Sequence, residues 1–198
     1  SGSGRARPDP PGDSGRAHRV FAELVERMPK NADLRLEHAA LAVTNGRRKI
    51  ALAELKIARS LKPGPERLRR AVAAYRTLGE TGAALQTLRE LAQSAPDEPG
   101  TWLDSAEIAS EAGRREEALE ALGKARAHVD TLGRPVEPTD DELLRIAGFY
   151  KILGSTDAAL ELLAQLTTGA PGKPKLWIRR AEFEVEAGRR DAALRSLE

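Results

Sequence analysis

Three histidines, His18, His38 and His128, are the side chains here whose ordinary pKa lies near neutrality, so a general base or a metal site would draw on them first. Either task needs convergent partners, and the three share no common spacing. They read as helix-surface or packing residues, and no metal ligand set is expected. The adjacent acids Glu116–Glu117 and Asp140–Asp141 stand at helix starts, where a negative charge complements the helix dipole without any catalytic duty. Gly46-Arg47-Arg48 and Gly154-Ser155-Thr156 lack the spacing of a phosphate-cradling loop and read as turns. With no cysteine, thiol nucleophiles, disulfides and cysteine-ligated zinc are excluded. No catalytic residue and no cofactor is expected. One pattern is left: Gly46, Gly113 and Gly188 each precede two arginines, namely Arg47 and Arg48, Arg114 and Arg115, Arg189 and Arg190. They form a basic edge, read either as solvated turns or as weak contact with an acidic partner or anionic polymer.

The elements that would position these groups follow from composition. The chain has 198 residues, 40% hydrophobic and only 4% aromatic, with Ala and Leu dominant, which favours helix over sheet. Its 32 basic and 30 acidic residues nearly cancel, giving +2, so no global field draws it to nucleic acid or an anionic membrane. No apolar run approaches the roughly 18–20 residues of a membrane span, and no signal peptide is present, so direct membrane insertion is not expected. Compartment stays open between a bacterial periplasm and cytoplasm. Gly, Pro and Ser dominate the first fifteen residues, so 1–13 read as a flexible linker, with Ser1 to Gly4 as a vector-derived remnant. A helical pattern still running at Glu198 reads as a segment of a longer protein.

A ladder organises the rest. Gly12, Gly46, Gly79, Gly113, Gly154 and Gly188 recur at intervals of 34, 33, 34, 41 and 34. Five residues after each comes an alanine (Ala17, Ala51, Ala84, Ala118, Ala159, Ala193), and four further on a bulky apolar residue (Phe21, Leu55, Leu88, Leu122, Leu163, Leu197). Proline follows at Pro29, Pro63, Pro96 and Pro171. Apolar residues spaced three and four apart on both sides of Gly46 predict two helices. Glycine closes the first in a left-handed turn and proline stops the second. The alanine allows close helix approach, and the residue one turn on fills the next layer. One pair cannot bury both its faces, so pairs must stack.

These positions resemble the tetratricopeptide repeat. Its large-then-small signature in the first helix is met by Trp102 with Ala106, Trp177 with Ala181, Leu143 with Ala147 and, weakly, Arg35 with Ala39; Tyr75 and Tyr150 match a later aromatic. Asp130 stands where proline is expected. The resemblance implies an all-α, right-handed α-solenoid of antiparallel helix pairs, a superhelix over 14–198. It divides into a half repeat 14–31, repeats 32–64, 65–98 and 99–132, an insertion 133–139, a repeat 140–173 and a truncated repeat 174–198. Thr139 and Glu142 read as a capping box after the insertion, which is either a binding edge or a tolerated loop. Trp102 and Trp177 fall on packing positions and so read as core rather than ligand platforms.

In this family first helices line a concave groove, and its positions fall here on Leu36 and Val43, then Arg69 and Arg76. Leu103, Glu107 and Glu111 follow, then Leu144 and Lys151, and Ile178 and Glu182 close the series. Around them Ala40, Thr44, Ala73, Thr77, Ser110, Gly148, Ile152, Val185 and Glu186 complete a floor that is apolar first, then basic, then acidic. The Asn of a carboxylate clamp is missing, since Ala40, Ala73, Glu107, Gly148 and Glu182 occupy its place. What the resemblance implies is a noncatalytic scaffold binding a partner protein or peptide, part of a larger bacterial protein such as an envelope-assembly or exopolysaccharide-export component. The alternative is a regulatory or substrate-recognition arm of an enzyme whose catalytic domain lies elsewhere. Uncapped solenoid ends would also allow a homodimer.

Overall fold

A computed structural model describes residues 13–96, 98, 100–127 and 138–198. The described residues form eleven α-helices and no strand. They divide into two compact units, one ending at Ser94 and one beginning at Ala95. His128, Asp130 and most of the 133–139 insertion lie outside the described residues.

The first unit holds α1 (Asp13–Arg27), α2 (Ala32–Thr44), α3 (Arg48–Ser60), α4 (Pro65–Thr77) and α5 (Thr81–Ser94). α2 packs on α3 and α4 on α5 as pairs, while α2 also meets α1 and α4. Asn31 caps α2, its side chain accepting from the Leu34 amide at 3.1 Å. The second unit holds α6 (Gly100–Glu111), α7 (Arg115–Arg126), α8 (Asp140–Ile152), α9 (Thr156–Gly169), α10 (Pro174–Glu186) and α11 (Arg190–Leu197). Its pairs are α6 with α7, α8 with α9 and α10 with α11. The expected capping box is present: Thr139 accepts from the Glu142 amide, and the Glu142 carboxylate accepts from the Thr139 amide at 2.8 Å.

The glycines turn these pairs. Gly46, Gly79, Gly113, Gly154 and Gly188 all have φ between 66° and 76°. At Gly46 the amide donates to the Val43 carbonyl at 3.1 Å, and the next amide, Arg47, donates back to Ala42 at 2.8 Å. Gly188 repeats the motif, with Arg189 donating to Glu184 at 2.7 Å. Two orphan carbonyls of each helix end are thereby satisfied. A Cβ at these glycines would meet nothing, so backbone conformation rather than space demands glycine. Inside the pairs Ala51, Ala84, Ala118 and Ala159 are wholly buried, and Leu55, Leu88, Leu122 and Leu163 fill the layer beside them. Leu197 departs from the ladder and is 59% exposed, as α11 presents Leu194 and Leu197 outward.

Candidate binding groove

The charged residues of successive first helices meet in rungs. In the first unit, Arg67 of α4 grips Asp33 of α2 with two hydrogen bonds, 2.7 and 2.5 Å, and Arg70 reaches Glu37 at 2.5 Å. Here Arg69 pairs along its own helix with Glu66 at 3.2 Å, and Arg76 is exposed. Hydroxyls of Thr44 and Thr77 bond back to the carbonyls of Ala40 and Ala73. Leu36 is buried, because α2 is flanked by α1 as well as α4; Val43 is half-buried. Two expected groove residues are thus corrected. Leu36 is a packing residue, and so is Leu103, which joins the core with Ile146 and Ala147 of α8. Neither side chain is open to a ligand.

The second unit differs. Between α8 and α10 lies a cavity of about 700 Å³ lined by Leu144, Gly148, Ile178 and Glu182, with Asp141, Arg145, Lys175 and Arg179 at its rim. Spacings of four put Leu144, Gly148 and Ile152 on one face of α8, and Ile178, Glu182 and Val185 form the facing stripe on α10. Ile152, Ile178 and Val185 are each more than half exposed. Gly148 contributes no side chain, and a Cβ there would meet nothing within 4 Å. A second cavity of similar volume, lined by Asp141, Leu144, Lys173 and Lys175, extends the cleft toward the starts of α8 and α10.

Charges surround this apolar floor and hold one another. Lys175 meets Asp141 at 3.4 Å, Arg179 meets Glu182 at 2.8 Å, and Arg145 approaches Glu107 at 3.9 Å. Lys151 pairs with Glu186 and, like Arg179, sits 4.9 Å from the ring of Phe183. Glu111 is exposed on α6. Leu144, Ile178 and Glu182 line one cavity, while Lys151 lies outside its lining, paired with Glu186; in the first unit the neighbouring Arg67 and Arg70 bridge α4 to α2. Sequence reasoning missed Asp141, Arg145, Lys175 and Arg179. A signal existed: opposite charges one repeat apart, as in Asp33 and Arg67 or Asp141 and Lys175.

The turn arginines have work inside the protein. Arg48 donates to the Leu78 carbonyl at the end of α4 and pairs with Glu80 at 2.5 Å. Arg115 repeats this one unit later, donating to the Leu153 carbonyl at 2.7 Å and to the Ser155 hydroxyl at 3.0 Å. Each closes an orphan carbonyl of the following repeat. Arg114 pairs with Glu117 and Arg189 with Asp157. Arg47 and Arg190 are exposed.

Two further sites answer sequence questions. Trp177 is half-buried and donates its indole N–H to the Pro171 carbonyl at 3.0 Å. Arg35, at the equivalent position, donates its Nε to the Pro29 carbonyl at 2.9 Å. Arginine thus makes the tryptophan's bond. Trp102 packs against the second-unit core with Lys124 over its ring at 4.8 Å, in keeping with a packing role. Contrary to the expectation of no convergence, two histidines meet: His18 and His38 are 3.2 Å apart and both are 4% exposed. Distant sequence positions hid this, since α1 brings His18 over α2. Among the described residues no group of three or more His, Asp or Glu could hold a metal ion, and no helix is long and apolar enough to cross a membrane.

No family model matches the chain, and no curated protein matches it in sequence. Its likenesses are structural. One is to the structure of Naa15/Naa10 bound to HypK-THB, at TM-score 0.65 and 19% identity, covering 94% of this chain and 28% of that one. Another is to a tetratricopeptide repeat protein from Parabacteroides merdae, at 0.53 and 18% identity, covering 93% and 71%. A third is to YrrB, described as a TPR protein with an unusual peptide-binding site, at 0.51 and 16% identity, covering 90% and 89%. The fold is that of an all-α tetratricopeptide-type solenoid array.

Proposed function

We propose that this chain is a noncatalytic protein-interaction scaffold that holds a partner segment in the cleft between α8 and α10. The observation that carries the reading is the exposed aliphatic floor over Gly148, faced by Ile178 and rimmed by charges of both signs. Such a site suits a peptide or helix with one apolar anchor flanked by mixed charges. Burying a leucine-sized anchor there contributes about 1.5–3 kcal/mol, and the rim sets register and selectivity more than strength. The likeness to YrrB supports a peptide ligand by analogy. The wider setting we propose, a larger bacterial protein of the envelope-assembly or exopolysaccharide-export kind, rests on the Arg- and Ala-rich composition and on family analogy.

The test places a photo-crosslinking amino acid at Ile178 and identifies the captured segment from a native lysate. Capture should fall at least tenfold in Gly148→Leu, whose Cβ meets nothing and whose side chain projects into the cleft. Capture unaltered by that substitution would sink the assignment.

A further inference from the structure

Four side chains and one amide form a directed hydrogen-bond relay at the start of the first unit. Glu54 of α3 is held by Arg35 at 2.7 Å, and its other oxygen lies 3.2 Å from His38 Nδ1. His38 Nε2 lies 3.2 Å from His18 Nδ1, and His18 Nε2 lies 3.4 Å from the amide nitrogen of Asn45. A carboxylate only accepts, so His38 donates from Nδ1 and, as a neutral ring, accepts at Nε2. His18 then donates from Nδ1 and accepts from Asn45. Every contact carries one hydrogen when both rings are neutral.

A proton added to the pair upsets this order. One is accommodated without breaking a contact between the rings, provided the Asn45 amide turns its oxygen toward His18 Nε2. A second sets two N–H donors against each other across 3.2 Å. The groups facing the rings are Arg35 from α2, Asn45 and Arg47 from the following turn, and Glu54 from α3. Arg47 adds a like charge near His18. The docked pair therefore holds at most one extra proton, whereas released rings hold two in acid.

α1 depends on this contact. Among its described side chains only His18 and Val25 are fully buried, while Val20 and, just past its end, Met28 lie exposed. We propose that the His18–His38 relay is an acid-released latch, so that α1 lets go of α2 as the pH falls below the ordinary histidine range. The direction of titration agrees. Burial first, then Arg47, then His38, hold His18 below its usual value near 6.5. A group whose docked pKa is lowered binds its proton better when released, so docking is at full strength above about pH 6.5. Below it, docking weakens about tenfold per pH unit for each proton taken up. Acid would thereby uncover the α2 face that carries His38.

Amide hydrogen exchange of the whole chain tests this, with rates corrected for their intrinsic pH dependence. Protection of α1 should fall about fivefold between pH 6.5 and 5.5, while α9 stays constant as the internal control. His18→Asn keeps a donor for His38 but cannot titrate, and its α1 protection should change less than twofold over the same range. A flat wild-type profile overturns the latch whatever the variant does. An unchanged slope in His18→Asn moves the acid sensitivity to another group and overturns it equally.

Discussion

The two units use the same repeat positions on their first helices and arrive at opposite surfaces. Between α2 and α4, Arg67 and Arg70 close rungs onto Asp33 and Glu37, and Leu36 is buried. Between α8 and α10, glycine stands at 148, Ile178 stands exposed, and a cleft is left open. Backbone architecture is common to both, so the difference lies in a few side chains. On the proposed reading, a repeat scaffold acquires a site by carrying Gly148 where the first unit carries Ala40 and Ala73, with no change of fold.

The largest effects should ignore this difference, because the glycine–alanine–leucine ladder is shared. Leu55→Ala in the first unit and Leu163→Ala in the second each remove a fully buried side chain, at about 2–5 kcal/mol in urea unfolding. Leu197→Ala, at the same ladder position but 59% exposed, should change stability by no more than about 0.5 kcal/mol. Comparable losses at all three positions would mean that ladder identity, and not burial, sets the energy. Next comes a loss confined to the first unit. Glu54→Gln leaves Arg35 buried without its carboxylate, at about 3 kcal/mol by the same measurement.

The ladder was legible in the sequence because each of its residues answers a local demand. Positive φ needs glycine at 46 or 188, close helix approach needs alanine at 51 or 118, and Thr139 with Glu142 caps a helix within four residues. The groove positions on α8 and α10 came from the resemblance to the tetratricopeptide repeat and not from spacing alone. What spacing could not give was how deeply a neighbouring helix covers each position. Leu36 and Leu103 share their repeat position with Ile178, yet they are buried where Ile178 is exposed. The His18–His38 contact, twenty residues apart and between helices, was invisible for the same reason. Arg35 is a weak match to tryptophan by residue type, yet it makes to the Pro29 carbonyl, six residues back, the bond that Trp177 makes to Pro171.

A smaller effect separates the two surfaces directly. Gly148→Leu puts a good helix former where glycine lowers helix stability, and its Cβ meets no neighbour. The melting curve should rise by the equivalent of about 0.5–1 kcal/mol even as partner capture is lost. Stability and binding moving in opposite directions mark a glycine retained for its cleft. A fall in stability instead would show that the added side chain collides and that the cleft is narrower than described.

The smallest effect concerns the rungs. Arg67 holds the Asp33 carboxyl below its usual pKa, through its hydrogen bonds first and its charge second. Since the folded pKa is the lower one, the rung's contribution is present above the unfolded value near 3.9 and disappears as the pH falls through the folded one. Both partners are exposed, so at neutral pH Arg67→Ala should lower the melting temperature slightly in dilute buffer. In 1 M salt, where the Debye length is about 3 Å, the difference should largely vanish. Lys175→Ala in the second unit breaks a longer contact, 3.4 Å between side chains more exposed still, and should shift the melt less. If Lys175→Ala proves the more harmful, the second unit is closed by its rung as the first is, and the contrast between the two surfaces fails at its source.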